Sequence, residues 1–273
     1  MPELLQPTPY SDVNEVLHAF AIGLQTIIGD PFRGMYLSGS LALGDFDPRT
    51  SDIDFIVLTD VALSADLVEG LADMHGRFDA SGSPWAGRIE VVYITPEVLR
   101  SNRVSTTHYP QVEKGGPLFV APLEGGWIFH LYTLWEHGIT VVGSAVRPLI
   151  DSVDPDEMRR AAAPIAELWM EQARNDPGWI EWLHEREHQS FVVLTLCRLL
   201  YTLELGAVAS KPAAARWAQQ ALGPHWAPLI AQALTKQHCS GKATKRDITD
   251  TIAFLHYAVD RFQHWSNTRP PAP

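Results

Sequence analysis

The chain has 273 residues, 46% of them hydrophobic and 19% charged, which suffices for one large domain or two modest ones with a sizeable buried core. Its formal net charge of −11 disfavours the sequence-independent phosphate attraction on which nucleic-acid binders rely, so no nucleic-acid partner is expected. Two cysteines, Cys197 and Cys239, are too few for a disulfide scaffold or a zinc site and read as free thiols in a reducing compartment.

Residues 1–7 have neither the basic start nor the apolar core of a signal peptide, and no run approaches the length of a membrane span. The expectation is a cytoplasmic protein without membrane contact. Ser11, followed by Asn14 and Glu15, predicts a helix start; Val13, Val16, Leu17, Phe20, Ala21, Leu24 and Ile27 continue it at helical spacing as far as Gly29-Asp30-Pro31. Residues 35–37 and 53–58 are apolar segments that read as strands, with an Asp-Pro loop over 45–50 between them. A helix over 64–78 and a third strand over 88–94 follow. From 95 to 126, Pro, Gly, Ser and Thr break the pattern and predict an irregular linker, in which His108, Tyr109, Glu113 and Lys114 either line a pocket or form an ordinary surface loop.

After Trp127 the pattern is helical almost throughout. One helix covers 128–137, the next opens at Asp154-Pro155 with acids in its first turn, and 189–205 is an apolar helix ended by Gly206. Lys211-Pro212 opens another, and 248–265 is the last. The expected fold is α+β: a mixed-sheet N-terminal domain over 1–126 with its linker at 95–126, a helical bundle over 127–268, and a disordered tail at 269–273.

The chemistry concentrates where the first two strands meet. The first ends in a small-residue turn, Ser38-Gly39-Ser40, and the second begins Ser51-Asp52-Ile53-Asp54. Alternate strand residues share a face, so Asp52 and Asp54 project together. Two carboxylates on one face repel, and a divalent cation relieves the repulsion; oxygen-only ligands suit Mg²⁺, which keeps positions for water and phosphate. Gly39 permits a tight turn into a short helix whose first amides can meet phosphate oxygens, and Ser40 and Ser51 add hydroxyls. A lone Asp-x-Asp is ordinarily a solvated strand end, and a lone Gly-Ser means less; at this spacing on neighbouring strands they read together as a metal–nucleoside triphosphate site. Glu90 is an isolated charge in an apolar strand: a water-facing edge residue, or a third active-site carboxylate.

Gly39-Ser40 with Ser51-Asp52-Ile53-Asp54 is similar to the Gly-Ser…Asp-x-Asp signature of the nucleotidyltransferase superfamily. Residues 88–92, 137–143, 192–198, 209–211 and 216–218 resemble one branch, the aminoglycoside 3″-(9)-adenylyltransferases that modify streptomycin and spectinomycin. The resemblance runs from about Leu37 to the last helix. It implies an N-terminal nucleotidyltransferase domain, a metal set of Asp52, Asp54 and Glu90, and Glu90 as the catalytic base. It implies nucleotide contacts from Gly39, Ser40, Ser51, Arg198 and Lys211, the last two facing the N-terminal domain across a cleft. Departures fall in the acceptor half: His188 stands where the family has an aspartate, Lys114 lies near the place of an aromatic residue, and Gln237 replaces a tyrosine.

The resulting expectation is an enzyme using ATP and Mg²⁺ to transfer AMP to a hydroxyl of a small cationic acceptor, an aminoglycoside or spectinomycin-like antibiotic, with pyrophosphate leaving. The acceptor is expected against Trp179, Trp182, Glu187 and His188, within a stretch that also holds Asp176, Glu181 and Glu185. A monomer is expected. Two other readings stay open: a nucleotide-binding pseudoenzyme or sensor, and a nucleotidyltransferase acting on a protein partner.

Overall fold

The computed structural model describes residues 6–100, 107–123 and 126–268, and the chain divides into two compact units, 1–153 and 154–273. In the first, α1 (Ser11–Ile28) precedes β1 (Phe32–Leu37), the one-turn helix α2 (Gly39–Ala42) and β2 (Ile53–Thr59). Then come α3 (Ala65–Asp79), β3 (Ile89–Ile94), α4 (Pro96–Arg100), β4 (His108–Val112), β5 (Phe119–Pro122), α5 (Trp127–His137) and β6 (Ile139–Val142). The six strands form one sheet in the order β5-β4-β3-β2-β1-β6, in which β2 and β3 are parallel and the other neighbours antiparallel. A parallel pair needs a crossover, and α3 supplies it.

Alternation along the central strands sorts the side chains. Ile53, Phe55 and Val57 of β2 and Ile89, Val91 and Tyr93 of β3 join Leu17, Phe20 and Leu24 of α1 and Leu71 of α3 in the core. Asp54 and Glu90 therefore leave on the opposite face. The N-terminal end of α1 is tied by Asn14, whose Oδ1 accepts from the Thr8 amide (3.1 Å) and hydroxyl (2.8 Å), rather than by Ser11. Ser64 caps α3 as its position predicts.

Three expectations are corrected. The segment 95–126 is not irregular throughout, because β4 and β5 pair across a turn and extend the sheet beyond β3. Residues 139–142 are a strand, not helix, since β6 pairs with β1. That pairing keeps α5 and β6 with the sheet, so the division falls after Val153 rather than after residue 126. The tail at 269–273, residues 1–5 and parts of the expected linker lie outside the described residues.

The second unit comprises α6 (Pro155–Asn175), α7 (Pro177–Leu183), α8 (Arg186–Leu205), α9 (Lys211–Ala221), α10 (Ala227–Lys236) and α11 (Lys245–Thr268). Helix α8 packs against α6, α7, α9, α10 and α11, which is why most of its residues are buried and its run from Val192 to Leu203 is largely apolar. Within it the buried Cys197 thiol is pushed up to about 12 by burial, so it is inert. Among the described residues no helix is long and apolar enough to cross a membrane.

One buried pair ties the start of α8 to that of α11. Arg186 Nη2 donates to Asp247 Oδ2 at 2.7 Å, and both residues are buried. Asp247 also accepts from the Thr244 amide and hydroxyl at 2.8 Å, closing a capping box. Burial pushes the Asp247 carboxyl up, but the bonds from Arg186 and Thr244 outweigh it and hold the group at about 2.

In the first unit, His75 Nε2 lies 2.7 Å from the Tyr93 hydroxyl within the core. Burial lowers the His75 imidazole from 6.5 to about 4, with Asp79 opposing weakly. The folded protein therefore binds fewer protons than the unfolded chain between these values. The contribution of neutral His75 is complete above about pH 6.5 and is lost as the pH falls to about 4. Urea midpoints measured across that window should fall by the equivalent of roughly 3 kcal/mol more in the wild type than in His75→Gln.

Candidate active site

The site grows from the register of two strands. Asp54 and Glu90 are directly paired Cα partners on parallel β2 and β3, so their side chains leave the same face of neighbouring strands roughly 4.8 Å apart. Asp52 lies one residue before β2. The turn after β1 is fastened to the same strand: the Ser38 amide donates to the Asp54 carbonyl at 2.9 Å.

Gly39 explains itself in this geometry. Its φ is +56°, where side chains are disfavoured, and a Cβ built on it would lie 2.0 Å from Asp54 Oδ2 and 2.5 Å from Cγ. The backbone at the head of α2 thus lies against the Asp54 carboxylate. Helical bonding begins with the Ala42 amide on Ser38 O and the Leu43 amide on Gly39 O, so the first-turn amides of Gly39, Ser40 and Leu41 have no partner within the helix. Ser51 works in the loop: its Oγ accepts from the Asp47 amide at 3.0 Å, which leaves the hydroxyl hydrogen to donate elsewhere.

Asp52 is flanked by two cations that the motif did not reveal. Lys114 Nζ is 3.1 Å and Arg88 Nε 3.9 Å from its Oδ1. The ammonium contact falls short of hydrogen-bond alignment, so that buried oxygen retains an unfilled acceptor capacity. Ser38 Oγ is also buried without a partner. Arg88 is further held by donation to the Ser51 carbonyl and by stacking 4.4 Å above the Trp85 ring.

These observations test whether the residues fit Mg²⁺. An Asp52 oxygen with charge partners but no hydrogen bond, an Asp54 carboxylate set against the Gly39 backbone, and a donor set of oxygen alone all fit a hard divalent cation that completes its shell with water and phosphate. Among the described residues no three His, Cys, Asp or Glu side chains form a ready-made metal cluster. Asp52, Asp54 and Glu90, the last directly paired with Asp54, are the carboxylates that would hold it.

In the helical unit the expected residues separate into groups. Arg198 Nε donates to the Ala209 carbonyl at 3.1 Å, tying α8 to the segment that opens α9 at Lys211. Lys211 Nζ lies 5.3 Å over the Phe191 ring. An open cleft of about 480 Å³ is lined by Trp169, Gln172, Asp176, Trp179, Trp182 and Phe191. Trp179 is 8% exposed and largely core, whereas Trp182 is 37% exposed. His188 is stacked on Trp182, 4.2 Å between centroids and 10° from parallel. It donates from Nδ1 to the Trp182 carbonyl at 2.9 Å, which holds the ring in place against Trp182. Glu187 is exposed. Glu185 is committed to Lys242, and Asp176 Oδ1 caps α7 by accepting from the Gly178 amide at 2.8 Å.

Residues 149–261 match the model of the aminoglycoside adenylyltransferase C-terminal domain. An aminoglycoside (3″)(9) adenylyltransferase of Escherichia coli is 26% identical over 239 residues, covering 82% of this chain and 84% of the relative. One from Rhizobium radiobacter is 33% identical over 98 residues, covering 36% of this chain and 33% of its own. Among solved structures, the spectinomycin adenyltransferase from Enterococcus faecialis, determined with ATP and spectinomycin, has the same fold, with a TM-score of 0.69 and 16% identity over 93% of this chain and 99% of that one.

Gly39→Ala is expected to lower the denaturant midpoint by the equivalent of about 1–3 kcal/mol, because the added methyl is both strained and aimed at the Asp54 carboxylate. Asp54→Ala in the same chain should recover part of that loss. Additive losses in the double variant would show that the two residues do not meet.

Proposed function

We infer that this chain is an adenylyltransferase of the aminoglycoside 3″-(9)-adenylyltransferase family. The reaction is transfer of AMP from ATP to a hydroxyl of a small cationic acceptor of the streptomycin or spectinomycin kind, with pyrophosphate leaving. The observation that carries this reading is the in-register pair Asp54 and Glu90, with the Gly39 backbone lying against Asp54.

In this reading Asp52 and Asp54 would hold Mg²⁺, which would supply positive charge to offset that on the attacked phosphoryl group and the leaving pyrophosphate. The amides of Gly39, Ser40 and Leu41 and the hydroxyls of Ser40 and Ser51 orient phosphate oxygens. Glu90 accepts the proton of the acceptor hydroxyl as its oxygen attacks the α-phosphorus. Arg198 and Lys211 bind the triphosphate through charge-assisted bonds; their common attachment to the α8–α9 connection supports a shared role. Trp182 and His188 meet the acceptor. At position 188 an imidazole stacked on Trp182 stands in place of the family's carboxylate, so it adds no negative charge beside a cationic acceptor.

The test is ATP turnover across a panel of aminoglycosides and spectinomycin, read as the mass gain of the adenylylated acceptor. Absence of any adenylylated product, with ATP bound, would overturn the reading. Asp52→Ala and Asp54→Ala should abolish transfer while leaving the fold intact by circular dichroism. Glu90→Gln should retain ATP affinity in calorimetry and lose about 10²–10⁴-fold in kcat. His188→Asp should raise kcat/KM for streptomycin and spectinomycin, because a carboxylate replaces a ring at a cation-facing position.

A further inference from the structure

We propose that Lys114 is an exchangeable counter-ion of Asp52, displaced when a divalent cation binds, so that the β4–β5 turn sets how readily the site takes metal. The proposal rests on the reading of Asp52 as a metal ligand.

The two cations beside Asp52 are held differently. Arg88 is anchored at three points: its contact with Asp52, its donation to the Ser51 carbonyl and its stacking on Trp85. Lys114 is half-exposed and sits on a turn in which the Gly116 amide donates to the Glu113 carbonyl at 2.9 Å and Gly115 has a φ of +69°. That conformation matches a turn with Lys114 at its first corner and a glycine at its second. Gly115 packs against Gly87, the residue before Arg88, and a Cβ on Gly87 would be 3.8 Å from the Gly115 Cα. The ammonium of Lys114 reaches Asp52 on a flexible four-carbon stem.

The contact at 3.1 Å gives Asp52 Oδ1 a charge partner without a hydrogen bond. A divalent cation needs that oxygen for a shorter, stronger bond. An ammonium and a divalent ion cannot share one carboxylate oxygen at contact distance without mutual repulsion. Arg88, anchored and 3.9 Å away, remains; Lys114 is the cation that yields. A metal therefore binds against a resident charge. The site in turn need not carry an uncompensated Asp52 carboxylate beside Asp54 and Glu90.

The experiment titrates Mn²⁺ into the nucleotide-free full chain and reads free Mn²⁺ by electron paramagnetic resonance. Lys114→Met and Lys114→Gln should both tighten Mn²⁺ about tenfold, as loss of one competing charge implies. Lys114→Arg should stay near the wild type. Wild-type affinity or weaker binding in both neutral variants overturns the proposal, as does a complete lack of Mn²⁺ binding in them. Asp52→Asn separates the two levels. If it loses Mn²⁺ while the neutral Lys114 variants are unchanged, only the exchange is wrong. If it binds as the wild type does, Asp52 is no metal ligand and the reading of the site falls with the proposal.

Discussion

Parallel pairing of β2 and β3 is the constraint on which the N-terminal unit depends. It requires the α3 crossover and buries alternate residues of both strands against α1 and α3. It also leaves Asp54 and Glu90 on neighbouring strands of the opposite face. A one-residue slip of β3 would send Glu90 into the core and bring an apolar residue beside Asp54. The packing that stabilises the sheet therefore also specifies the relation between the Asp54 and Glu90 carboxylates. The head of α2 adds a second restraint, since the Ser38 bond to the Asp54 carbonyl and the bare Gly39 Cα hold the turn against the Asp54 carboxylate.

The helical unit is organised around α8, which is enclosed by five neighbours and carries Arg198 partway along its length and His188 in its first turn. The first turn is fixed by the Arg186–Asp247 pair and by the pairing of Glu185 with Lys242. The stacked His188–Trp182 pair begins from this fixed point, so the orientation of an exposed residue traces back to a buried ion pair.

What could be read in the sequence was whatever carried strong local periodicity or a short motif. α1, α3 and α8 followed from apolar spacing and from Gly29, Ser64 and Gly206 at their ends, and the Asp52-Ile53-Asp54 and Gly39-Ser40 pairs stood out by their spacing. β4 and β5 did not, because His108–Val112 and Phe119–Pro122 are short and contain prolines, and their strand character comes from pairing with β3 and each other. β6 was hidden by its brevity between helical stretches, although it determines to which unit α5 belongs. Lys114 beside Asp52 is a contact between distant segments, for which no local pattern exists. The Thr244…Asp247 capping box was a visible signal, and it would have moved the start of α11 to Lys245; nothing local pointed from Asp247 to Arg186.

That pair has an evolutionary corollary. Losing either member leaves the other as a buried charge, at a cost of about 3–5 kcal/mol, whereas exchanging both for apolar groups of matching volume can be nearly neutral. Positions 186 and 247 should therefore drift together or not at all: a lineage cannot pass comfortably through the single substitution. Two positions 61 residues apart would then be expected to record a linked history.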